Sequence, residues 1–498
     1  MILLSEHNMA HNTQPILLRD WSKGNMRTVQ SSLVPINSAK LALNLDSDVE
    51  IGSLLSRKGT NIIGVQTISS ATCKGLHYYR DTVATNHKLF GVFSNGSNNV
   101  IYDMITGSSS LTGDTAGLKT RFCTYLNSVV RVNGTDACKS YNGSSWVTSG
   151  GAFDEADMPK GTVVIEWKDR VYTAGVTTSP NILYYSTVAD PDARTISWTV
   201  TADDPDSAGT LEVEQEDGGG AITALEKVPG FLLVFKERSM KRWDGASTYP
   251  EDLVSVGAPS QEAVCRGREM VFIANQQGVW VTNGGYPKKI SKPIQDLWDA
   301  IPAANFSSVA TFCDESYVYV YVGDITLGDN TYSNICFKYN IDSQTWNIYS
   351  YYHDFSVFTW YISSSEKIIV GGDADGQAIQ INTGNTDYAS TPQPITYSLE
   401  SQDIEFGGRG MVKEVSMANV LTENCRLGQF HYRTNSNRDK DWKSIRNITN
   451  DVEEIKAFSA KGNWFNWKIS GITNSGQVKI LGIEFPEGSI SVNQNVSE

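Results

Sequence analysis

A chain of 498 residues with 41 basic and 55 acidic side chains carries a formal charge of −14, which excludes an outer surface built to neutralise nucleic-acid phosphates. Apolar residues make up 40%, ordinary for a globular protein with a sizeable core. Gly, Ser, Thr, Asn and aromatic residues are abundant and long runs of Ala, Leu, Glu and Lys are missing, so short strands joined by turns are expected rather than helices.

His7, Asn8, His11 and Asn12 stand where a signal peptide needs an apolar run, and no stretch of about 18 apolar residues occurs, so neither export nor a membrane-spanning segment is expected. The seven cysteines form an odd set without close pairs, several in apolar strand-like runs; buried thiols of a protein made in a reducing cytoplasm fit them better than disulfides or a zinc site.

Residues 1–60 hold short apolar stretches, Leu41 to Asp48 and Ile51 to Gly59, without long alternation, and read as an N-terminal arm lying across other elements. From 61 to 389, strand signals recur, among them Phe122–Val132, Thr162–Ala174, Phe231–Glu237, Met270–Ala274 and Ile335–Asn340. Asn95–Gly96, Asn133–Gly134, Asn142–Gly143 and Asn283–Gly284 predict hairpins through type I′ turns. In Tyr317–Val322, Tyr alternates with Val and neither face is charged, which predicts a strand between stacked sheets. Trp146, Trp198, Trp243, Trp280 and Trp346 close strand groups at a mean spacing of roughly 50 residues, the length of one propeller blade. After Pro293, Ile294, Leu297, Trp298 and Ile301 share a helical face that Ser291 would cap.

Ser390 to Pro394 marks a boundary, and the strand-rich remainder, 390–498, has the size of a β-sandwich. The predicted fold is therefore all-β: a β-propeller of five to seven blades at 61–389, with an N-terminal arm and a C-terminal β-sandwich-like domain.

Sites for chemistry are sparse. The six histidines form no HExxH, and GxSxG, Walker and dinucleotide loops are absent, so no enzyme activity, catalytic residue, metal or cofactor is expected. Asp373-Ala-Asp375-Gly376 resembles the start of a calcium loop but lacks a downstream acid and reads as a hairpin turn. Ser186 to Trp198 resembles an ill-formed Asp box of sialidase propellers. Trp442, Trp464 and Trp467 could offer stacking faces to a glycan and serve equally well as core. Asp203, Asp204, Asp206, Glu212, Glu214, Glu216 and Asp217 form an acidic run without an intervening base, either a solvated loop or a wall that repels phosphates.

Three segments resemble the tail hub or nozzle (tail tubular) propeller proteins of short-tailed bacteriophages: Gly218-Gly-Gly-Ala-Ile-Thr-Ala-Leu225 with Gly230 to Trp243, Gly257-Ala-Pro-Ser260 with Gly278 to Ser291, and Leu43-Asn44, Gly52 and Arg57-Lys58-Gly59. They cover the arm and about half of the propeller as pattern, without close identity. The resemblance implies a structural virion protein, made in the host cytoplasm, in a homo-hexameric ring that docks portal-adaptor proteins and tail fibres. DNA would pass during ejection without specific binding. The acidic run would then line the channel, and Arg57, Asp324 and Asp329, the latter two in a long loop from Asp324 to Ser333, are the expected assembly residues. The competing readings are a tail-associated receptor- or glycan-binding protein and a propeller glycosidase.

Overall fold

The computed structural model describes residues 9–27, 31–81, 87–190, 192–214, 216, 218–363, 366–406, 411–436, 441–473 and 476–493. Six separate four-stranded antiparallel sheets and a seventh four-stranded unit, 310–350, form the blades of a β-propeller. The strands Cys73–Tyr79, Arg121–Tyr125, Val163–Trp167, Ile222–Val228, Val264–Gly267, Ala310–Cys313 and Phe355–Ser363 each open a blade and pack on one another in a closed ring. They therefore line the axis, and later strands of each blade step outward. The last blade takes its outer strand, Thr60–Ile63, from the N-terminal side, where it pairs with Ala378–Ile381. Joining distant parts of the chain in one sheet closes the ring.

The Tyr/Val alternation lies in the second strand of the 310–350 unit. Tyr319 and Tyr321 pack toward the last blade, while Val318, Val320 and Val322 pack against the preceding blade and the short helix. That helix is a single turn, Gln295–Asp299, after a 3-10 turn at Lys292–Ile294. Ile294, Leu297, Trp298 and Ile301 are all buried, as their spacing predicts. Ser291 does not cap it; its hydroxyl accepts the Val279 N–H instead.

None of the four Asn-Gly pairs takes the expected type I′ geometry, Asn283-Gly284 included. Only the glycines take positive φ; Asn95, Asn133 and Asn142 instead accept two following backbone N–H groups through their side-chain oxygens. This is an Asx turn, not a type I′ turn. Paired positive φ values occur at Leu126-Asn127, Lys168-Asp169 and Arg268-Glu269, each joining the first two strands of a blade. The tryptophans do not share one blade position: Trp146 and Trp346 lie in fourth strands, Trp243 and Trp280 in third strands, and Trp198 in a connection. All seven cysteines are buried free thiols, and burial raises Cys73, Cys123 and Cys336 to about 12.

The C-terminal strands form two packed sheets, and described segments between residues 9 and 56 pair into them, so the expected arm is woven into the sheets and not only laid across them. Met9–His11 pairs with Ile490–Asn493, and both Ile16–Leu18 and Leu54–Ser56 pair with Lys479–Phe485. Leu41–Leu43 lies between Trp346–Ser350 of the propeller and Thr396–Glu400 of the sandwich, fusing both into one nine-stranded sheet. The sandwich core gathers Trp21, Phe430, Phe465, Trp467 and Ile469, with Trp21 edge-on to Trp467 at 5.8 Å.

Candidate functional site

The joint between propeller and sandwich concentrates buried charge. Arg57 is 2% exposed; it donates to both oxygens of Asp387, to Asn44 Oδ1 and to the Ser350 carbonyl, and it lies 4.4 Å over the Tyr351 ring. Next to it, Lys338 Nζ meets Asp46 at 2.7 Å and lies 3.7 Å above the Tyr317 ring; Tyr349 and Asn347 also donate to Asp46. Asp48 completes the cluster, its carboxyl pushed up by burial and by Asp46. Gly59 is a glycine because an added Cβ would sit 1.9 Å from the Thr386 carbonyl oxygen. These groups hold the N-terminal segment, the propeller and the crossing at residue 387 together. They cannot serve an exposed interface: Arg57 is an internal tie, contrary to its expected assembly role.

The propeller axis is bridged by side chains. Arg121, on the first strand of its blade, forks onto Glu262 at 2.8 and 2.9 Å, and Lys119 adds a third contact at 3.0 Å. Burial alone would raise the Glu262 carboxyl, but Arg121 and then Lys119 hold it well below the usual range. Gln261 fastens the same turn to Leu225 through both N–H and C=O. Deeper, His77 stacks on Phe122 and bonds Thr124 at 2.6 Å; burial lowers its pKa to about 4. The axial cavity is about 180 Å³. Sequence offers no local signal for the clasp, because 141 residues separate Arg121 from Glu262.

The acidic run lies on the outer strand of the 163–212 blade and the connections flanking it, away from the axis. Asp203, Asp204, Asp206, Glu212, Glu214 and Glu216 are exposed, and Asp217 falls outside the described residues. The run is not free of bases in space. Arg170 donates to the carbonyls of Ser186, Pro205 and Ser207 beneath the loop, and buried Lys241 ion-pairs with Glu214. Asp324 and Asp329 are exposed, but the expected loop is a hairpin: Tyr317–Leu327 pairs with Asn330–Asn340 across Gly328-Asp329. Asp324 accepts the Asn334 N–H and fixes its base.

A search of protein-family models and of curated proteins finds no match to this chain. Among solved structures, the extracellular domain of a one-component system from B. thetaiotaomicron matches over 86% of this chain and 63% of that one, at 10% identity and a TM-score of 0.41. This chain thus spans under two thirds of that structure.

Other sequence signals make contacts within the fold. Asp373 and Asp375 belong to a hairpin turn in which Asp373 accepts the N–H groups of Asp375 and Gln377. In the Asp-box-like stretch, Asp190 accepts from Asp192 and Ala193, and Trp198 donates to the Phe153 carbonyl. Trp467 is fully buried, and Trp442 packs against Arg433 and Lys468 at 4.4 and 4.8 Å. Among the described residues no group of His, Cys, Asp and Glu is arranged to hold a metal, and no helix is long and apolar enough to cross a membrane.

Proposed function

We propose that this chain is a structural subunit of a bacteriophage tail, a hub or nozzle protein that assembles as a ring of copies, with six the expected number. One observation carries the reading: the N-terminal residues that resemble that family are those that weld the propeller to the sandwich. Asn44 and Arg57 bond each other and reach Ser350 and Asp387, and Gly59 allows the closest backbone approach at the joint. A subunit that bears load along a tail needs its two domains fixed, and buried, fully bonded charges give one arrangement rather than several.

The bridged axis sets a condition on this function. A space of about 180 Å³ crossed by Arg121 and Glu262 admits no duplex, so the genome's path runs between copies and not through a propeller. The exposed acids from Asp203 to Glu216 then face that path, where like charge keeps a polyanion mobile. The Gly328-Asp329 hairpin tip and the propeller rim are docking surfaces for adaptor and fibre proteins.

Analytical ultracentrifugation of the purified chain, alone and with the portal and adaptor proteins of the same phage, tests the assembly. A closed ring formed on the adaptor supports the reading; a chain that stays monomeric and unbound there contradicts it.

A further inference from the structure

A cavity of about 520 Å³ opens beside the last blade and adjoins the joint, where the Tyr352 N–H on its wall donates to Asp387. Four chain segments converge on it: the lead-in to the first blade near Ser70, the stretch Tyr352 to Asp354, the hairpin turn Asp373 to Gln377, and the crossing at Tyr388 to Ser390. Among the described residues its wall holds three aspartates, two tyrosines and one histidine, and no lysine or arginine.

The histidine is the informative group. His353 is 6% exposed, and its Nδ1 lies 3.2 Å from Asp373 Oδ2. Asp373 is held in turn, its other oxygen accepting the N–H groups of Asp375 and Gln377, each at 2.9 Å. A carboxylate only accepts, so Nδ1 carries a proton, and in the neutral ring Nε2 then presents a lone pair. That Nε2 is buried and no group among the described residues bonds to it. A buried acceptor left unmet is unfavourable, and in native structures such an atom calls for a partner.

The surroundings define what the partner is. Asp354 uses one oxygen on the Tyr321 hydroxyl, and Asp375 uses one on the Ser70 N–H, at 2.8 and 2.7 Å. Each keeps acceptor capacity. The Tyr388 ring lies within 14° of parallel to His353, and Tyr352, 57% exposed, stands edge-on to the imidazole. Carboxylates with aromatic rings and no competing base favour a cation, and the ring faces favour an organic one. A bare metal ion fits poorly, since the described residues offer no metal-ligating cluster.

We propose that this cavity binds a small organic ligand bearing a primary ammonium group and hydroxyls, of the amino-alcohol or amino-sugar class. The ammonium sits among Asp354, Asp375 and the tyrosine rings, and a ligand hydroxyl donates to His353 Nε2. The inference is independent of the tail assignment.

Saturation-transfer NMR on the full chain tests it with glucosamine and ethanolamine as probes and N-acetylglucosamine as the uncharged control. Saturable binding of both amines, with the acetylated sugar at least tenfold weaker, is expected. Asp375→Asn, an exposed position, should weaken glucosamine at least tenfold at unchanged melting temperature, and His353→Phe should do so if it melts as wild type does. No saturable amine binding, equal binding of the acetylated sugar, an unaffected Asp375→Asn variant, or displacement of glucosamine by equimolar calcium would each overturn the proposal.

Discussion

Arg57 reaches Asp387 through two nitrogens, at 2.8 and 2.6 Å, across 330 residues of chain. Both side chains are almost wholly buried, so removing either leaves an uncompensated charge in the joint. Arg57→Ala should destabilise the fold by about 3–5 kcal/mol in urea unfolding. Arg57→Lys should recover only part of this, since an ammonium cannot fork onto a carboxylate. Wild-type stability in either variant would mean that the joint does not rest on this pair.

Gly59 makes a second, independent test of the joint. A methyl group there meets the Thr386 backbone, which cannot retreat without breaking the bonds from Gly59 N–H to Gly384 and from Thr383 N–H to Gly59. Gly59→Ala should cost about 1–3 kcal/mol, read from the urea midpoint at unchanged slope.

These two residues also show how far sequence reading reaches. The lead-in segment stood out for short apolar stretches without long alternation, as in Leu41 to Asp48, yet an isolated stretch cannot say which distant strand it joins. Leu41–Leu43 pairs with residues more than 300 positions away, and that pairing turns an expected arm into a structural weld. The blades were legible from strand alternation, as at Tyr317–Val322, where each face found its own cluster. Their repeat was not legible from tryptophans. Three of the seven blades turn between their first two strands through the left-handed pairs Leu126-Asn127, Lys168-Asp169 and Arg268-Glu269, and such pairs lack the glycine that usually announces a hairpin. The acidic run was readable, whereas its partner Lys241 comes from the next blade, 27 residues beyond Glu214.

Stability should fall on the acid side in a defined window. Burial lowers His77 to about 4, and burial with Lys468 nearby lowers His431 to about 4. Both are neutral in the fold, while the unfolded chain takes up protons below about 6.5. Stability is therefore lost as pH drops from about 6.5 to about 4, with no further loss from these groups below that. Melting temperatures of His77→Gln/His431→Gln should depend less on pH in that window. An unchanged slope would assign the loss to other groups.

Glu262 acts in a lower window. Its folded carboxyl is depressed, so its contribution is present above about 4.5 and lost as pH falls through the folded value. Glu262→Ala leaves Arg121 and Lys119 facing each other at the axis and should cost about 3 kcal/mol at neutral pH. The gap to wild type should narrow in acid.

The acidic run should divide into two kinds of residue. Asp203, Asp204, Asp206, Glu212 and Glu216 are exposed, and their joint reversal to Lys should leave the melting temperature nearly unchanged while slowing genome ejection. Glu214 faces buried Lys241, so Glu214→Lys should destabilise by about 1–3 kcal/mol on its own. Ejection at the normal rate after reversal of the exposed acids would remove their proposed role along the genome's path.

Electron microscopy of virions carrying gold-labelled antibody to this chain asks most directly where it sits. A tail subunit of the hub or nozzle type places label in a ring on the tail axis. Label confined to peripheral fibres, or particles free of label, would contradict the assignment.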